Sequence, residues 1–86
     1  MTSIQGTITE INHAADRIAV QLSNGWFAVC RLFDRRSSPP IGEAVHGRLL
    51  EPGASTLTAL GSNRTFRALV LAVFPCKAPA LELVHT

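Results

Sequence analysis

The stretch that decides the fold is RIAVQLSNGWFAVCRLF, residues Arg17 to Phe33. Ile18, Val20 and Leu22 alternate with Arg17, Ala19 and Gln21, the period-two pattern of a half-buried strand. Asn24-Gly25 interrupts the run, and Trp26 to Phe33 resumes it with β-branched and aromatic residues. An Asn-Gly pair suits a two-residue hairpin turn, whose central positions both need positive φ. With that pair at the corner, Ser23 faces Trp26, Leu22 faces Phe27, Val20 faces Val29 and Ile18 faces Arg31. The register predicts a core face of Ile18, Val20, Leu22, Phe27, Val29 and Phe33. Trp26 then falls on the opposite side with Arg17 and Gln21. A slip of one residue reverses every assignment on the returning strand.

Working outward, Ile4 to Ile11 reads as a strand that places Ile4, Gly6, Ile8 and Glu10 on one face. Asn12 to Asp16 is a polar turn. Asp34 to Pro40 is a loop, because two successive prolines cannot continue a ladder. Glu43 to Leu50 resumes a strand, Pro52-Gly53 turns the chain, and Ser55 to Leu60 returns. Thr65 to Phe74 is a long strand that Pro75 stops, and Ala80 to Val84 is expected as a last short strand. Short strands separated by turn signals every ~8–12 residues predict an all-β barrel or sandwich. The whole chain, 1–86, reads as a single small β-barrel domain.

Composition narrows the functional classes. An apolar fraction of 47% is that of a folded chain, and a net charge of +2 is too small to hold a polyanion by charge alone. All basic residues but Lys77 are arginine, the side chain suited to planar, bidentate contacts. No catalytic motif appears: G-x-S-x-G, the P-loop, G-x-G-x-x-G and Cys-x-x-Cys are all missing. His13, His46 and His85 are scattered, with no metal-ligand spacing. The expectation is a non-enzyme without cofactor or metal. Cys30 and Cys76 read as apolar fillers, a bridge between them being left open, and two free thiols suit a reducing cytoplasm. No signal segment opens the chain, and no apolar run approaches the ~18 residues of a membrane span.

The order of elements carries a resemblance. A first strand containing Gly6, a long hairpin, an irregular connection and then G-x-x-V-x-G (Gly42 to Gly47) is similar to small OB-type barrels. GTITEINHAADRIAVQL resembles the first hairpin of the cold-shock and S1-like members, and IGEAVHGRLL the start of their fourth strand. The resemblance implies an OB-like barrel of roughly five to seven short antiparallel strands, with an SH3-like barrel as the alternative. It also implies binding of single-stranded nucleic acid on the outer face of the second and third strands and the flanking loops. The residues so implied are Arg17, Gln21, Trp26, Arg35, Arg36 and Arg48. Cold-shock signatures of the K-G-F-G-F-I and V-F-V-H types are replaced here by Arg17-Ile18-Ala19-Val20 and Phe27-Ala28-Val29-Cys30.

Trp26 accordingly has three readings. It fills a second small core with Ala19, Ala28, Cys30 and Leu32, or it joins an interface, or it stacks on a base beside Arg17. The long strand poses a related question, since Phe66, Ala68, Val70, Ala72 and Phe74 share one face and Leu69, Leu71 and Val73 the other. A small barrel has one interior, so Leu69, Leu71 and Val73 are either covered by the tail, through Leu81 and Leu83, or form an interface. Two functions follow: a binding protein for single-stranded DNA or RNA, or a homodimerisation or protein-interaction module. Neither involves a membrane.

Overall fold

A computed structural model describes residues 3–33 and 39–86. Six strands are present: β1 (Ile4–Asn12), β2 (Arg17–Leu22), β3 (Phe27–Leu32), β4 (Ala44–Gly47), β5 (Gly53–Ala59) and β6 (Arg64–Phe74). One helix, α1 (Lys77–Val84), ends the chain. The strands are antiparallel and close in the order β1-β2-β3-β6-β5-β4, with β4 pairing back onto β1 through Gly6↔Val45. The all-β closed barrel is as expected and is compatible with an OB-like fold. Closure is completed by β4, which pairs with β1 on one side and, over two residue pairs, with β5 on the other.

The hairpin register differs from the expected one by a single residue. Arg17 pairs with Arg31, Ala19 with Val29 and Gln21 with Phe27. Three residues make the loop, not two. Gly25 N donates to Leu22 O at 2.9 Å, and Leu22 N donates to Trp26 O at 2.7 Å. Gly25 alone carries the positive φ, at 91°, so the connection is a tight turn followed by one left-handed residue. Asn24 Oδ1 accepts from Trp26 N at 3.0 Å and fixes the exit of the loop.

That one residue inverts β3. Ile18, Val20 and Leu22 line the barrel as predicted, but they are joined there by Ala28, Cys30 and Leu32. Phe27 and Val29 turn outward, where they form a second core with Ala19, Ala80 and Val84. Helix α1 lies over them. Its first turn tolerates Pro79, because the leading N–H groups of a helix lack intrahelical partners anyway. Its buried stripe, Ala80 and Val84 with Leu83 beside them, follows helical spacing. Of the two alternatives, cover by the tail is the one present, through Ala80, Leu83 and Val84 and as a helix where a strand is predicted.

A bulge resolves the apolar surplus of β6. Val29 pairs with Ala72 and Cys30 with Val70, which leaves Leu71 as the extra residue. The parity shift turns Val73 inward against the barrel core, while Leu71 and Phe74 pack under α1. Of the three residues read as an interface strip, only Leu69 stays on the open outer face, half-buried beside Arg31.

Candidate nucleic-acid interface

The outer face of β2 at Ala19 and of β3 at Phe27 and Val29 is closed by α1, and Arg17 takes part in the closure. Its Nη1 donates to Leu83 O at 2.8 Å, and Asn12 Nδ2 donates to Val84 O at 2.8 Å. These carbonyls belong to the last turn of the helix, which has no intrahelical donors for them. A guanidinium there also opposes the negative end of the helix dipole. His85 Nε2 and Glu10 Oε1, 3.5 Å apart, add an exposed contact at the same end. Arg17 is thus a structural cap placed by residues far away in sequence.

Trp26 does not share that face with Arg17 and Gln21. In phase with Ala28 and Cys30, it stands at the open end of the barrel, 44% exposed. There it borders a groove of about 500 Å³ with Leu50, Pro52 and Val73. The second core exists without it, because the register gives Phe27 the place assigned to Trp26. Gln21 is exposed on β2. Arg35 and Arg36 lie outside the described residues. Arg48 follows β4 and is exposed.

A different surface carries the basic and aromatic side chains. Outward positions across β3, β6 and β5 hold Arg31, Phe33, Arg67, Leu69, Ala54 and Thr56. Phe33 N donates to Arg67 O at 3.3 Å, and Arg67 pairs with Thr56 on the next strand. The Arg67 guanidinium carbon stands 6.0 Å from the centre of the Phe33 ring, at the outer limit of a cation–π contact. Phe33 is 58% exposed, so its ring is open to a further planar partner. Arg48 continues the row beyond Thr56, with which it borders a common cleft. With strands ~4.8 Å apart, Phe33 to Arg48 spans roughly 14 Å.

Electrostatics distinguish this surface from the rest. Strands β3, β4, β5 and β6 contain no Asp or Glu, while Arg31, Arg48 and Arg67 project from them or from their immediate ends. The nearest carboxylates in sequence are Asp34, which directly follows Phe33 and lies outside the described residues, Glu43 and Glu51; Glu43 Oε1 accepts from Gly61 N at 3.0 Å, on a turn outside the row. A modest net charge of +2 is therefore unevenly spread, and one face holds a disproportionate part of the cations.

Of the four described residues among those implied by the resemblance, Arg48 alone lies on this face. Phe33 is expected from the sequence both on the core face and as an aid to Trp26 in stacking; Arg31 and Arg67 were missed. The one signal for them in the sequence is the acid-free runs 17–33 and 52–81, which alternate arginine with apolar residues. Among the described residues no three His, Cys, Asp or Glu side chains come together as a metal site. Nor is any helix long and apolar enough to cross a membrane. No protein-family model, no curated protein and no solved structure matches this chain.

Proposed function

We propose that this barrel binds single-stranded nucleic acid, on the outer face of β3, β6 and β5 and not on that of β2. The observation that carries the reading is the row Phe33–Arg67–Thr56–Arg48, flanked by Arg31 and free of acidic side chains on its strands. An exposed ring beside guanidinium groups is what a single strand needs, since bases stack on the ring and phosphates meet the arginines. The cold-shock and S1-like resemblance agrees with the class of ligand. The covering of β2 by α1 moves the surface by one strand. Such a site reads the backbone and the faces of the bases, so sequence preference is small.

Fluorescence anisotropy with a labelled mixed-sequence single strand, at stepped salt, tests this. Three phosphate contacts give a slope of about −2 in log K against log salt. Phe33→Ala lowers affinity by roughly 1–3 kcal/mol through lost stacking. Absence of saturable binding at low salt contradicts the proposal. The second reading, a protein-interaction module, then gains from the Trp26 groove, whose lining of Leu50, Pro52 and Val73 suits an apolar side chain. Sedimentation of the free chain distinguishes a second copy from a different partner.

A further inference from the structure

A second row of side chains runs beside the one that carries the arginines. Thr65 on β6 pairs with Thr58 on β5, Thr58 with His46 on β4, and His46 with Gln5 on β1. All four side chains point outward, because their strand neighbours Phe66, Leu57, Val45 and Gly6 are buried and alternation puts them on the other face. The row lies two residues along the strands from Arg67 and Thr56, a step of ~6.7 Å. It crosses four strands, roughly 14 Å at the usual spacing.

Its chemistry differs from that of its neighbour. Two hydroxyls, an imidazole and a carboxamide offer donors and acceptors with no carboxylate among them, and none has a side-chain hydrogen bond among the described residues. Threonine suits the outside of any strand. What singles out this row is its unbroken register across four strands and its place beside the cations. The opposite flank of the arginine row holds Leu69 and Ala54, which pair with each other and have no polar side-chain atom. The face is therefore lopsided, with hydrogen-bonding groups on one side of the cations only. Phosphates and base faces are common to RNA and DNA, whereas the ribose 2′-hydroxyl, donor and acceptor at once, belongs to RNA alone. We infer that this face selects RNA over DNA, with the Thr58 and Thr65 hydroxyls hydrogen-bonding ribose 2′-hydroxyls while the neighbouring arginines hold phosphates. His46 and Gln5 extend the same row toward β1. This rests on the nucleic-acid reading and adds to it the class of strand.

The test titrates the whole chain against three labelled single strands of one mixed sequence of A, C and G: DNA, RNA and 2′-O-methyl RNA. Omitting U and T keeps the thymine methyl out of the comparison. RNA is expected to bind about 5–10-fold more tightly than DNA, the range of one or two hydrogen bonds between uncharged groups. The 2′-O-methyl strand, which has lost the donor, is expected to bind no more tightly than DNA. The double variant Thr58→Val, Thr65→Val keeps the β-branched shape and removes both hydroxyls. It is expected to bring RNA to within about twofold of DNA, with DNA affinity and the salt slope unchanged because no charge is lost. Equal affinity of the wild-type chain for RNA and DNA, or tighter binding of DNA, overturns the inference and leaves nucleic-acid binding intact. A preference that survives in the double variant, or that the 2′-O-methyl strand retains in full, overturns the assignment of these hydroxyls. A loss shared equally by RNA and DNA does the same, since the threonines then touch something other than the 2′-hydroxyl. If no strand binds, the functional reading fails and the inference falls with it.

Discussion

Cys30 illustrates how much one residue of register decides. On the outer face it would be a thiol within reach of solvent; inside the barrel it is fully buried, with its pKa pushed up from 9.0 to about 12 by loss of hydration. The unfolded chain sheds the Cys30 proton at its ordinary value, whereas the folded chain keeps it to about 12. Between those values the unfolded state binds fewer protons, so stability falls as pH rises through this window. Below about 9 the contribution is fully present. Cys76, by contrast, is free and exposed beside the start of α1. A thiol reagent at pH 8 is expected to modify Cys76 quickly and Cys30 only at the rate of unfolding. Equal, rapid labelling of both thiols would contradict the register.

At the scale of elements, the decisive piece is α1, held by Arg17 and Asn12 at its last turn and by Ala80 and Val84 beneath. Arg17→Ala is expected to cost roughly 1–2 kcal/mol in urea unfolding, through the lost charged hydrogen bond and helix-end interaction. Amide exchange in α1 should quicken more than exchange in β5. An unaltered midpoint would mean that Arg17 is free for another task. The strands were legible in the sequence because period-two alternation survives any loop length: β1, β2, β5 and β6 lie where Ile4, Arg17, Ser55 and Thr65 open their runs. The side of β3 was not legible. Asn24-Gly25 serves a two-residue turn and a three-residue loop ending in Gly25 equally well, and the two differ by one step of register. The error spread from there. With Phe27 and Val29 assigned to the barrel, the outer apolar surface was reduced to Leu69, Leu71 and Val73, which a short strand could cover. Leu81 and Leu83 then read as strand alternation. The β6 bulge at Leu71 likewise has no sequence signal, since neighbouring apolar residues fit either face.

For the molecule as a whole, the two outer surfaces of the barrel divide the work. One is apolar and is covered by the chain's own helix; the other is arginine-rich and open, with its cations on strands that carry no acid. Trp26 belongs to neither, being about 23 Å along the strand from Phe33 by the usual rise per residue. Its placement answers why the only tryptophan is a poor guide to this surface. The most direct test is a 15N–1H NMR titration of the whole chain with mixed-sequence single-stranded RNA and DNA at low salt. The account predicts saturable shifts clustered at Arg31, Phe33, Thr56 and Arg67 that weaken as salt rises, with α1 and the Trp26 indole unmoved. Unshifted spectra at high ligand, or shifts confined to Trp26, Leu50 and Val73 at the barrel end, would contradict it.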